Sequence, residues 1–254
     1  MASPQIKAGE IAGWPVLRIQ YRTDADKLAA LLPPGIDPGA EPNVFLSIYN
    51  FPVPDEPEYG IVVTVAADYK GTAGRYAIGY GIDQESAIFI SRDMNGQPKY
   101  PARTVYYRTG DTIRARSMHQ GYTFAEFEGT VTGPADELPA HEQNEWWIKV
   151  SRAVGGAEKA YDFAPHVVRV HSTNQTVARE NVEGALLLRD SPWDPIAERL
   201  PQRELVASYL DWSQFTSRTI SLEGPLDPDG YWPFIDTIGG SRWPGQMGGP
   251  VRTR

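Results

Sequence analysis

The 254 residues read as an α+β, mostly β chain: a largely antiparallel sheet or barrel with a few peripheral helices. Three observations lead there. Runs rich in Val, Ile, Thr, Tyr and Phe alternate apolar with polar positions, the period of a half-buried strand. Turn signals separate these runs about every eight to twelve residues, the rhythm of an all-β architecture. The 24 glycines and 22 prolines are spread over the whole length instead of pooled in a linker, which points to one domain over 1–254.

Taken in order, VLRIQYRT (16–23) alternates as a strand and runs into Asp24–Leu32, a short helix with Asp24 as N-cap and Pro33-Pro34-Gly35 as its stop. NVFLSIYNF (43–51) and YGIVVTVAADY (59–69) are β-branched and aromatic. Gly71–Gly74 makes a hairpin turn into RYAIGYGI (75–82). DQESAIFI (83–90) reads as a helix or turn, and 91–103 as a loop with an Asn-Gly turn. Strands follow in TVYYRTG, TIRARSMHQGYTF and AEFEGTVTG, then in EWWIKVSRAV, HVVRVHSTNQTVA and EGALLLRD. Pro201–Trp212 reads as a helix start and a crossing strand, and the tail from Leu222 as irregular packing.

Composition closes several routes. Zero cysteines exclude a disulfide framework, thiolate metal sites and a cysteine nucleophile, and fit a cytoplasmic setting. A net charge of −8 runs against nucleic-acid binding. The first residues lack the basic-then-apolar order of a signal peptide, and no stretch approaches the roughly 18 apolar residues of a membrane span. Four histidines without HExxH predict no metal site; His166 and His171 are an odd number apart and would face opposite sides of a strand. There is no GxGxxG, P-loop or GxSxG signature. Asp55-Glu56-Pro57-Glu58 reads as a solvated acidic loop, and Trp146-Trp147 as one ring facing in and the other out or toward a partner subunit.

One lysine stands apart among six. Lys99 lies between Pro98 and Tyr100-Pro101, downstream of the apolar AIFI (87–90), with no other cation from Met94 to Ala102. A lysine fixed beside an apolar element can lose its water, which lowers its pKa and leaves an amine able to form a Schiff base with a carbonyl.

The run Asp83-Gln84-Glu85-Ser86-Ala87, followed by Ser91-Arg92-Asp93-Met94-Asn95-Gly96-Gln97-Pro98-Lys99-Tyr100, resembles the D-x-E-x-A and G-R-E-x-x-x-x-P-K-K segments of the acetoacetate decarboxylase superfamily. Tyr21-Arg22-Thr23-Asp24 with Leu32-Pro33, and Ala66–Gly71 with Gly74-Arg75-Tyr76, support the likeness; a weaker echo covers Gly184–Leu205. The resemblance implies an antiparallel β cone with peripheral helices, a homo-oligomer (dimer or tetramer), Lys99 as the Schiff-base lysine and no cofactor. It also implies departures from true decarboxylases. Tyr100 stands where they have a second lysine, and Trp14 where they have a carboxylate-binding arginine. Gly60 stands where they have a glutamate, and Tyr80 where they have a methionine. The pattern is closer to the branch resembling pyruvate aldolase-dehydratases, with Tyr59 and Asn95 at the places of that branch's catalytic tyrosine and amide. Trp14, Gly60, Tyr80 and Tyr100 would then shape the substrate pocket. The expected activity is a Schiff-base lyase joining a small 2-oxo acid to an aldehyde, or hydrating an unsaturated 2-oxo acid. The rivals are a decarboxylase of a bulky 3-oxo acid and a non-catalytic small-molecule binding protein on the same scaffold.

Overall fold

The computed structural model describes residues 15–51, 58–136, 138–155, 160–235 and Trp243. In chain order the elements are β1 (Val16–Arg22), α1 (Ala25–Ala29), β2 (Asp37–Pro38), β3 (Asn43–Phe51), β4 (Glu58–Tyr69), β5 (Thr72–Ile82), α2 (Glu85–Asn95), β6 (Lys99–Pro101), β7 (Arg103–Thr109), β8 (Thr112–His119), β9 (Tyr122–Pro134), β10 (His141–Arg152), β11 (Tyr161–Leu188), α3 (Ile196–Arg199), β12 (Glu204–Pro225) and α4 (Pro228–Tyr231), with a 3-10 turn at Trp232–Phe234.

The strands form one sheet in the order β10-β5-β4-β3-β1-β12-β11-β9-β8-β7. β10 pairs with both β5 and β11, and this closes seven strands into a ring, the expected cone. The β7–β9 meander continues from the far half of β11 and packs back over β3, β4 and β5. Two pairings break the expected antiparallel rule: β5 runs parallel to β10 and to β6. β11 and β12 are long because each serves two neighbours. β11 pairs with β10 along its first half and β9 along its second, and β12 passes from β1 to β11. Their mutual ladder shifts register three times, between His166/Val168, Thr173/Asn174 and Thr176/Ala178. Such shifts bend a strand and let it turn a corner.

Alternation along each strand divides the ring into two faces. Leu17, Ile19 and Tyr21 of β1, Val44, Leu46 and Ile48 of β3, and Ile61, Val63 and Val65 of β4 enter the main apolar core. That core also takes Ile113, Phe124 and Phe127 of the meander and Leu28, Leu31, Ile196 and Leu200 from around α1 and α3. The intervening residues face the inside of the ring. The two tryptophans obey the same rule. Trp146 packs in the main core, 5.4 Å from the Tyr69 ring, and Trp147 lies on the inner face, 6.1 Å from Tyr80. Both are buried, because both faces of this sheet are covered.

Four local readings change. The hairpin after β4 turns at Lys70-Gly71, both at positive φ (52° and 80°), with Tyr69 paired to Thr72. Asp24 holds the N-cap position of α1, its carbonyl accepting from Leu28 N–H (3.0 Å), but its side chain does not cap the helix; its carboxylate is held by the Arg203 guanidinium through two bonds of 2.8 and 2.7 Å. The crossing strand expected within 201–212 is present, but it begins at Glu204 without a helix start and runs on to Pro225, through the first residues of the tail expected as irregular from Leu222. Residues 91–95, expected as loop, extend α2, since nothing in Ser91–Asn95 stops a helix before Gly96.

Gly96 ends α2 in the left-handed region (φ 68°), its N–H donating to the Arg92 carbonyl at 3.0 Å. A Cβ there would lie 2.4 Å from the Ile148 carbonyl oxygen of β10. Both facts demand glycine. We predict that Gly96→Ala destabilises the fold by about 2 kcal/mol or more in denaturant unfolding. An unchanged midpoint and slope would refute this placement of α2 against β10.

Candidate active site

The inner face of the ring encloses a cavity of about 680 Å³. Lys99 enters it from β6, a three-residue strand that exists because Lys99, Tyr100 and Pro101 pair with Tyr80, Gly81 and Ile82. Two bonds fix the entry: Tyr80 N–H donates to the Pro98 carbonyl (3.0 Å), and Arg92 of α2 donates to the Lys99 carbonyl (3.0 Å). Arg92 thus steadies the lysine's own backbone.

The Lys99 side chain is 11% exposed, and its Nζ lies 3.6 Å from Glu58 Oε2. The other Glu58 oxygen accepts a 2.9 Å bond from the Tyr49 hydroxyl. Burial lowers the Lys99 pKa below its ordinary value; the Glu58 carboxylate works against that, and Arg218 adds to it. Burial, helped by Glu58, raises the Tyr49 pKa well above the phenol value, so this hydroxyl keeps its proton and donates. A nucleophilic amine, a carboxylate able to carry a proton and a neutral phenol therefore stand in contact.

Glu58 is the functional residue that sequence reading missed. The register that put Gly60 in the place of a glutamate is corrected by two positions: an acid does face the lysine, and it is Glu58. It closes the run read as a solvated acidic loop, yet its residue is 6% exposed. Its position as the first residue of β4, on the same face as Val62 and Thr64, was the available signal. Gly60 has its own part. A Cβ there would lie 2.5 Å from the Tyr49 ring, so glycine leaves the space through which Tyr49 reaches Glu58.

Of the residues expected at the site, Lys99, Asn95 and Tyr80 line the cavity. Asn95 comes from the last turn of α2. Tyr80 pairs with Lys99 across β5 and β6 and gives its hydroxyl to Glu145, which also accepts from Trp147 Nε1. Burial and Glu145 raise the Tyr80 pKa. Tyr59 and Tyr100 are not among the lining residues. Tyr59 follows Glu58 on the alternate face, with its backbone N–H bonded to Asp83 Oδ1 at 2.7 Å. Tyr100 turns to the other side of β6, its ring 4.8 Å from His119. Trp14 lies outside the described residues. The cavity also holds residues not anticipated: Gln97 beside Tyr80, and three arginines, Arg18, Arg75 and Arg218.

With this geometry in hand, the comparisons are specific. The family profile described as Acetoacetate decarboxylase (ADC) matches residues 1–223. The chain belongs to the acetoacetate decarboxylase family. Acetoacetate decarboxylases of Paraburkholderia phytofirmans and Paraburkholderia xenovorans are 37% identical to it over 101 residues, 38% of this chain and 39% of theirs. The chain thus aligns with about two fifths of those relatives' length. Among solved structures, the Legionella pneumophila acetoacetate decarboxylase superposes with a TM-score of 0.72 at 19% identity, covering 84% of this chain and 85% of that one. An acetoacetate decarboxylase-like enzyme from Sphingomonas wittichii RW1 gives 0.68 at 17% (84% and 91% covered). The enduracididine biosynthesis enzyme MppR complexed with pyruvate gives 0.64 at 17% (81% and 87% covered). At these identities the likeness is one of fold, and this family's fold is the one built here.

The charges around Lys99 predict opposite shifts. Glu58→Gln removes a charge that favours the ammonium, so the Lys99 pKa falls further. Arg218→Gln removes a charge that disfavours it, so the pKa rises. The pH dependence of Lys99 acylation, mapped by mass spectrometry, should show a wild-type midpoint below 10.5, with Glu58→Gln lower and Arg218→Gln higher. An upward shift in Glu58→Gln would contradict the contact.

Proposed function

We propose that this family member is a lysine Schiff-base lyase acting on a small 2-oxo acid through an enamine. The observation that carries the reading is the Glu58 carboxylate 3.6 Å from Lys99 Nζ, with Tyr49 behind it. Lys99 in its neutral form adds to the ketone carbon; the carbonyl oxygen takes the proton that the nitrogen gives up and then a second proton, and leaves as water to give an iminium. The iminium withdraws electrons from the C3–H bond, and Glu58 takes that proton, leaving an enamine. The enamine carbon attacks an aldehyde, whose oxygen is protonated. Loss of that hydroxyl as water, with a second C3 proton, yields the unsaturated iminium, and hydrolysis releases the product and returns Lys99. Run backwards, the same steps are hydration and retro-aldol cleavage. Tyr80 and Asn95, both of which line the cavity, are the groups assigned to the leaving hydroxyl and to water. The likeness of fold to MppR, solved with pyruvate, is consistent with this chemistry.

A second reading, decarboxylation of a 3-oxo acid, is favoured by a specific observation. The missing second lysine argued against it, but Tyr100 is not among the cavity-lining residues and instead packs against His119. A cation at position 100 would leave the same β6 face as Tyr100, whereas Arg218 already lowers the Lys99 pKa from the cavity side. In that reaction the carbon–carboxylate electrons flow into the iminium and carbon dioxide leaves, with no need for a C3 base.

Incubation with pyruvate and borohydride should reduce an adduct onto Lys99, detected by mass spectrometry and absent in Lys99→Ala. No adduct with any 2-oxo or 3-oxo acid would end both enzymatic readings in favour of simple binding. With an aldehyde added, a conjugated ultraviolet product supports the first reading. Glu58→Gln should slow its formation by about a hundredfold, the usual scale of a lost acid–base group. Carbon dioxide release from a 3-oxo acid without condensation would support the second.

A further inference from the structure

The site as described holds the reacting carbonyl but has no assigned group for the substrate's carboxylate, because the position expected to supply an arginine is Trp14. The cavity contains three arginines, and they are not equivalent. Arg18 is committed: its Nη1 donates to Ser47 Oγ (2.6 Å) and its Nε lies 3.5 Å from Asp211 Oδ2. Arg218 stands exposed on β12, its guanidinium 5.9 Å from the Trp147 ring centre. Arg75 is different. It lines the cavity, and among the described residues no carboxylate lies within ion-pair distance of it and no hydrogen bond holds it. Its guanidinium carbon lies 3.6 Å over the centre of the Phe45 ring.

Stacking on an aromatic face uses the plane of a guanidinium and leaves its in-plane N–H donors open. Those donors match a carboxylate in number and direction. The acid paired with Arg75 across the strands, Glu145, turns one oxygen to Tyr80 and Trp147 instead. Burial, with the like charge of Arg18, brings the Arg75 pKa down to about 10, with Glu145 among the groups working against it.

Arg75 reaches the inner face only through an irregularity. Arg75 and Tyr80 are five residues apart and on a regular strand would point to opposite faces. β5 shifts register against β4 between Val63 and Thr64, skipping Ile78, so Ala77 and Arg75 return to the face of Tyr80. Arg18 is placed across the ring from the amine. Lys99 pairs with Tyr80, Tyr80 with Val62, Val62 with Ser47 and Ser47 with Arg18, one rung of the sheet with three strands between its ends. Val62, Trp147 and Val170 supply apolar lining to the same cavity.

The geometry points to Arg75 as the carboxylate-binding residue of this enzyme: its open donors, stacked on Phe45 and backed by Arg18, hold the acid group of the oxo acid whose carbonyl condenses with Lys99. This rests on the Schiff-base reading above and names the anchor that reading lacks. The arginine comes from β5 and not from the N-terminal end of β1.

The test compares an acid with its uncharged counterpart. Borohydride trapping is titrated with pyruvate and with methyl pyruvate in the wild type, Arg75→Met and Arg75→Lys. In the wild type, pyruvate should reach half-saturation at a concentration at least about tenfold lower than the ester, the scale of one charge-assisted hydrogen bond. In Arg75→Met that gap should close, and in Arg75→Lys part of it should remain. A wild type without the gap, or a gap that persists in Arg75→Met, overturns the assignment. If no carbonyl compound is trapped at all, the Schiff-base reading fails by itself. The anchor is then read by calorimetry with lactate, which cannot form an imine: binding about tenfold weaker in Arg75→Met sustains it, and equal binding in both proteins removes it. Should Arg75→Met not fold, judged by circular dichroism, the wild-type gap and Arg75→Lys decide the matter.

Discussion

A buried amine beside a buried carboxylate is the constraint around which the rest of this molecule is arranged. Taking Lys99 and Glu58 out of water costs free energy that their mutual attraction does not fully return. The pair persists because surrounding contacts fix it. Tyr49 satisfies one Glu58 oxygen, Gly60 leaves room for Tyr49, and Arg92 of α2 holds the Lys99 backbone. The stabilisation comes from the other face of the same strands, where β1, β3 and β4 bury their aliphatic residues against the meander and the small helices. One sheet thus serves two purposes through alternation, with stability on one face and chemistry on the other.

The inner face is not a simple product of that alternation. The register shift in β5 carries Tyr80 and Arg75 to the same side, and the short parallel pairing of β6 with β5 brings Lys99 next to Tyr80. β6 pairs only over Lys99–Pro101, and its direction is fixed by α2, which returns the chain after β5. The capped end of α2 and the position of the nucleophile are therefore one structural problem, and Gly96 is where they meet.

The relatives share the fold at 17–19% identity in solved structures and share sequence at 37% over 101 residues. A Schiff-base lysine acts as an electron sink for several reactions, so the fold does not choose among them. The choice lies in the groups that meet the iminium. In the reading proposed above these are the Glu58 carboxylate, the Asn95 amide, the Tyr80 phenol and the Arg75 guanidinium, all of which line the cavity.

Much was legible from the chain alone. Alternation and turn spacing gave the β-rich architecture, and Pro98-Lys99 marked the amine, because both signals are local. The acid facing Lys99 was not legible, since Glu58 in an acidic run looks the same whether it faces solvent or a lysine. Tyr59 illustrates the same limit: adjacent to Glu58 in sequence, it takes the alternate face. Arg75 entered only as part of the supporting match Gly74-Arg75-Tyr76, with no role attached, and Arg18 gave no sequence signal among eighteen arginines. The sequence by itself determined which segments are strands and which lysine could lose its water. Only the tertiary structure decided what stands opposite that lysine, because register shifts and ring closure set which side chains share an interior, and both depend on pairing between distant segments.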